Sequence, residues 1–141
     1  MRDGWRKFQD LEIGMKASMS KKVTREMIQQ FAAISDDYNP VHIDEDYARQ
    51  TVFGSVIAHG MISGAMISAV LANKLPGPGN IYMSQDLKFL APVYPDDVIT
   101  TTVEIIELEE TRGRVKLATW CENQNGKRVT EGTGLVSHKV K

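Results

Sequence analysis

The chain has 141 residues, of which 42% are hydrophobic and 25% charged. That composition supplies the core of one ordinary domain and excludes wholesale disorder. Lys and Arg number 17 against 18 Asp and Glu, a formal charge of −1, so no basic stripe marks a nucleic-acid groove, while a local patch for a polyanionic group stays open.

Residues 15–23 mix polar and β-branched positions and read as a first strand. Thr24 then reads as a helix N-cap, with Glu26 in the first turn, where the helix dipole favours negative charge. Met27, Ile28, Phe31, Ala32 and Ile34 follow at helical spacing and predict an amphipathic helix over 25–35. It runs into Asp36-Asp37-Tyr38-Asn39-Pro40, where Pro40 disfavours helical backbone at Asn39 and turns the chain. A short helical piece is expected from Asp44 to Gln50, then a loop carrying Gly54 and Ile57. From His59 a second helix is predicted to run to about Leu75. Its apolar residues, from Met61 to Ala72, occupy nearly the whole circumference, the mark of a buried helix. Its small residues, Gly60, Ser63, Gly64, Ala65 and Ala69, let a sheet wrap it closely, and Pro76-Gly77-Pro78-Gly79 stops it.

The period then changes. Residues 80–91, 97–108, 114–123 and 128–139 are rich in Val, Ile, Thr and aromatics. The breaks fall at Pro92 to Asp96, at Glu110-Thr111-Arg112-Gly113 and at Asn123-Gln124-Asn125-Gly126, whose Asn-Gly pair signals a hairpin. One strand, then helices, then four strands in a meander is an α+β pattern. It predicts a single domain over residues 1–141 in which an antiparallel five-stranded sheet wraps a long buried helix, the layout called the hot dog.

The single cysteine, Cys121, can form no internal disulfide and reads as a small buried hydrophobe. The polar start Met1-Arg2-Asp3-Gly4-Trp5 lacks the apolar core of a signal peptide. The longest apolar run, Met61 to Leu71, falls short of the roughly 20 residues of a bilayer span. The expected location is the cytoplasm, away from membranes.

The chemistry concentrates in two places. Ser35-Asp36-Asp37-Tyr38-Asn39-Pro40-Val41-His42-Ile43-Asp44 crowds titratable groups around a proline turn, with a carboxylate and an imidazole five positions apart at Asp37 and His42. Ile57-Ala58-His59-Gly60-Met61 opens the buried helix, where backbone N–H groups favour developing negative charge. Taken singly, Asp37 reads equally well as a helix-ending turn residue and His42 as a hydrogen-bonded structural histidine. His59 reads as an orienting residue for the turn before Gly60. His42, Asp44 and His59 match no specific zinc spacing, so no metal is expected. His138 reads as a solvated strand residue, and Asp36, Glu45 and Asp46 as a solvated acidic face.

Asp37-Tyr38-Asn39-Pro40-Val41-His42 resembles the hydratase motif of the MaoC-like dehydratases, in particular the (R)-specific enoyl-CoA hydratases. The resemblance extends through Phe31-Ala32-Ala33-Ile34-Ser35, His59-Gly60-Met61, Leu75 to Tyr82 and Phe89-Leu90-Ala91-Pro92-Val93, so it covers nearly the whole chain from about residue 10. Position 36 is Asp where relatives often carry Gly or Glu. The resemblance implies that Asp37 and His42 are catalytic and hold one water between them, either serving as its base. It implies that the Gly60 N–H donates to the thioester oxygen, that Ser68 faces the substrate pocket, and that Asn39 holds the turn or the substrate. For Ser68 a bond back to the preceding helical turn is an equal alternative. Syn addition giving the (R)-3-hydroxyacyl thioester is the family's expectation. No cofactor is implied, because CoA rides on the acyl-CoA substrate as its carrier. A homodimer, or a multiple of it, follows from the family and from sheet edges that need cover. The rival readings are a hot-dog acyl-CoA thioesterase and a non-catalytic acyl-thioester binding protein.

Overall fold

The computed structural model describes residues 5–140. Residues 1–4, which carry most of the polar N-terminus, and residue 141 lie outside the described part. The elements in order are β1 (Lys16–Lys22), α1 (Arg25–Ser35), α2 (Pro40–Ile43), α3 (Glu45–Arg49), α4 (Gly60–Asn73), β2 (Asn80–Gln85), β3 (Lys88–Phe89), β4 (Val98–Glu109), β5 (Arg114–Glu122) and β6 (Arg128–His138). They form one antiparallel sheet in the order β1-β4-β5-β6-β2, with β3 pairing β6.

The core lies between the sheet and α4. Val103, Ile105, Val115, Leu117, Cys121 and Val136 point inward from β4, β5 and β6 and meet Ile62, Ile67, Val70 and Leu71 of α4. Inward and outward residues alternate along β5, as one pleated face against a core requires. Cys121 is buried, as its surroundings in the sequence predict.

Three local differences from the sequence reading have physical causes. The stretch 80–91 is two strands, because the backbone of Asp86 crosses over β6 at Gly132, where an added Cβ would overlap the Asp86 carbonyl. The sheet therefore has a sixth, two-residue strand beside the five predicted. The proline turn is itself a helix: Pro40 occupies the first turn of α2, where its missing N–H costs nothing. His138 is buried rather than solvated, since residue Arg6 crosses the end of β6 and its carbonyl meets His138 Nε2 at 2.7 Å.

α4 also departs from the reading of a helix buried all round. The sheet covers Ile62, Ser63, Ile67, Val70 and Leu71. Met61, Ala65 and Ala72 lie exposed in the single chain. No helix among the described residues is long and apolar enough to cross a membrane.

Candidate active site

Residues 24–60 form a polar overhang stitched by short-range side-chain bonds. Thr24 Oγ1 accepts from Met27 N at 3.1 Å and caps α1, as predicted. Helix α1 ends at Asp36 in the left-handed region (φ 61°), a backbone that glycine adopts freely and Asp tolerates. Ser35 Oγ then accepts from Asp37 N (3.2 Å), Asp37 Oδ1 from Asn39 N (3.2 Å), and Asn39 Oδ1 from Val41 N (3.3 Å). Asp44 caps α3 through Tyr47 N at 3.1 Å, which takes it away from the histidines. Of the two roles open to Asn39, the structure displays the turn-holding one, as N-cap of α2.

The strand-like loop before α4 anchors this overhang. Ile57 N donates to Val41 O (3.1 Å), and Ala58 N donates to Val93 O (2.8 Å). His42 Nδ1 lies 2.7 Å from Ile57 O. A carbonyl only accepts, so Nδ1 carries a proton, and in the neutral ring the lone pair then lies on Nε2. His59, the N-cap residue of α4, is buried and stacks on His42 with ring centroids 3.9 Å apart. Phe31 of α1 backs His59 at 4.9 Å. His59 Nε2 meets the Asp37 carbonyl at 3.0 Å. Burial pushes the His59 imidazole below its ordinary value; the bond to the Asp37 carbonyl opposes this and the neighbouring His42 adds to it.

One oxygen of the Asp37 carboxylate and one ring nitrogen each of His42 and His59 lie within 4.8 Å of one another. That spacing suits a bridging water between Asp37 and His42. It suits a shared metal ion poorly, because stacked imidazoles turn their in-plane lone pairs side by side rather than onto one point. Asp37 is exposed, His42 half-buried and His59 buried, so the cluster grades from solvent into the core.

Gly60 is the first residue of α4, and its N–H is one of the helix's unpaired terminal donors. With His42 it lines a cleft of about 460 Å³ whose other walls include Phe53, Met61, Phe89 and Thr130. The need for glycine has a source that the sequence did not reveal: an added Cβ would meet Cδ1 and Cε1 of Phe89 at 2.7 Å. Ser68 lies two helical turns beyond Gly60, half-buried, and lines neither cleft flanking α4. The second of these, about 420 Å³, runs between α1 and α4 past Met27, Phe31, Ile34 and Met66. The structure groups Asp37 with His42 and His59, and sets His42 and Gly60 on one cleft; sequence reasoning missed Phe89 and the contacts of His59. The available signal for His59 was a histidine directly before an apolar helix, where a polar N-cap is expected.

An antiparallel sheet wrapped around a helix, with a carboxylate and an imidazole gathered near that helix's N-terminus, places the chain in the hot-dog class. The family model described as "MaoC like domain" matches residues 7–127, and the chain belongs to that family. It is 46% identical over 129 residues to the (R)-specific enoyl-CoA hydratase of Rhodospirillum rubrum, covering 92% of this chain and 89% of the relative. It is 38% identical to the (R)-specific enoyl-CoA hydratase of Aeromonas caviae, covering 91% and 96%. The unliganded R-hydratase PhaJ1 of Pseudomonas aeruginosa superposes with a TM-score of 0.91 at 42% identity, covering 96% of this chain and 86% of that one.

Proposed function

We propose that this chain is an (R)-specific enoyl-CoA hydratase, which adds water reversibly to a trans-2-enoyl-CoA. The observation that carries the reading is the Asp37 carboxylate within 4.8 Å of a ring nitrogen of His42, with His42 and Gly60 lining one cleft at the start of α4. The relatives of that name support it. Water held between Asp37 and His42 loses a proton to one of them as its oxygen bonds to C3. The C2–C3 π pair becomes the C1–C2 bond of the enolate as the carbonyl π pair moves onto the thioester oxygen, where the Gly60 N–H stabilises it. The carbonyl re-forms as C2 takes the proton that the Asp37–His42 pair removed from the water. The lone pair at His42 Nε2 fits it for the base role, with the Asp37 carboxylate aiming the water. No prosthetic group enters the scheme, and CoA travels as the substrate's carrier. Ser68 lines neither cleft in the single chain, and its part toward the acyl group rests on the family resemblance alone. A cytoplasmic location accords with Cys121 as a buried free thiol.

The working unit in this reading is a homodimer or a multiple of it. The open strip of α4 at Met61, Ala65 and Ala72 needs a cover. The two sheet edges differ: β1 carries Lys16, Lys21 and Lys22, which discourage pairing, whereas β2 has no charge and exposes Ile81, Tyr82 and Met83. A second copy joined at β2 satisfies both needs. Sedimentation at micromolar concentration is expected to give a dimer, and a monomer there contradicts the assembly.

The activity is tested by mixing the purified protein with trans-2-enoyl-CoA substrates of short and medium chain length. Loss of the enoyl absorbance without release of free thiol is the expected result. Thiol release from acyl-CoA identifies a thioesterase instead, and tight binding without either change identifies a binding protein.

A further inference from the structure

We propose that His59 is a positioning residue for the acid–base pair: it donates Nε2–H to the Asp37 main-chain carbonyl and stacks its ring on His42. One buried side chain at the N-cap of α4 thereby fixes both reacting groups relative to the Gly60 amide. The inference rests on the hydratase reading above.

Three observations support it. The stretch from Ser35 to Asn39 is tied by side-chain bonds between residues at most four positions apart. The bond from His59 spans 22 positions and joins this stretch to α4. Without it, the carboxylate of Asp37 sits on an exposed turn that local bonds alone hold. Second, the acceptor is a carbonyl, so Nε2 must be protonated; the ring, only 3% exposed, is then a neutral Nε2–H tautomer. Third, its other nitrogen, Nδ1, is buried without a partner among the described residues. A buried orphan acceptor is costly, and a phenylalanine would fill the same space beside Phe31 and His42 without that cost. Packing therefore does not account for a histidine here, whereas the donated bond does. His59 touches neither substrate nor water in this scheme; it acts through Asp37 and His42.

The test pairs two substitutions. His59→Phe keeps the ring and removes the donor. His59→Gln removes the ring and keeps an amide N–H at the reach of Nε2. His59→Phe is expected to lower kcat by about 10- to 100-fold, the loss typical of a slightly misplaced reacting group, with KM within about 3-fold because the cleft walls and Gly60 are intact. His59→Gln, which keeps the bond to Asp37 and loses the stack on His42, is expected to give a kcat between those of wild type and His59→Phe. In an Asp37→Asn background His59→Phe is expected to cost little more, since two residues acting through one group are not additive. If His59→Phe fails to fold, His59→Asn takes its place: its shorter amide cannot reach the Asp37 carbonyl, and kcat again falls below that of His59→Gln. Nitrogen-15 spectra of the wild-type imidazole supply a readout free of turnover, with a neutral Nε2–H tautomer expected for His59. An Nδ1–H tautomer, unchanged kcat in His59→Phe, a loss confined to KM, or full additivity with Asp37→Asn would each overturn the proposal. A wild-type protein that leaves every enoyl-CoA unchanged sinks the hydratase reading instead, while the tautomer still reports on the contact itself.

Discussion

The sheet and the overhang between residues 24 and 60 are held by different kinds of bond. In the sheet, long strands pair by main-chain ladders, and alternate side chains of β4, β5 and β6 go into the core. In the overhang, helices of four and five residues are joined by Ser, Asp and Asn side chains that bond main-chain N–H groups nearby. Such helices are too short to stand by propensity alone. The difference separates burial from exposed polar groups: the sheet and α4 supply the burial, and the overhang carries Asp37, exposed, and His42, half-buried. Low local stability is the usual state of segments that carry function.

That separation can be broken from either side. Leu117→Ala, at a fully buried site on β5, is expected to cost about 2–5 kcal/mol in chemical unfolding. The rate per folded molecule should stay unchanged; a fall in that rate would mean that core and site are coupled. Gly60→Ala sits where the two regions meet. Its Cβ must displace the Phe89 ring, at a cost near the low end of the about 1–3 kcal/mol for overpacking, because Phe89 is half-exposed and free to swing. KM should rise more than kcat falls, and Phe89→Ala in the same chain should relieve the change in stability. Relief by Phe89→Ala failing to appear would show that the clash lies elsewhere.

The smallest expected effect is a pH dependence. His59 is held below its ordinary value, mainly by burial, with Asp37 and His42 as the titratable groups that face it. The unfolded chain takes up the proton first, so stability is fully present above about pH 6.5 and falls as pH drops below it toward the folded value. His59→Gln, which has no such proton, should flatten this part of the melting-temperature profile between neutral and mildly acidic pH. Parallel profiles for the two proteins would remove His59 from the account.

The same contrast explains what the amino-acid sequence discloses. Strand periodicity located β1, β4, β5 and β6, and the Thr24 cap with the Asp36–Pro40 stop bounded α1, because those signals are local. The split of β2 from β3 depends on the Asp86 main chain passing over Gly132 on another strand, which no local pattern contains. Likewise His138 is buried by the carbonyl of Arg6, 132 positions away. At the site, Asp37, His42 and Gly60 were legible as residue types in a motif. The stacking of His59 on His42, and of Phe89 against Gly60, arises only when the overhang docks on α4 and β3. The open face of α4 was hidden for a related reason: an all-round apolar helix looks the same whether its own sheet or a second copy covers it.

The most direct test is the initial rate at which the enoyl-thioester absorbance of crotonyl-CoA disappears, measured for wild type and Asp37→Asn. Asparagine keeps the oxygen that accepts from Asn39 N, so the turn should persist and the melting temperature should hardly move. The account predicts rapid loss with the wild type and a rate about 10²-fold lower in the variant, the cost of a misplaced attacking water. Equal rates in the two proteins would contradict it, because the hydration would then proceed without the carboxylate on which this reading of the site depends.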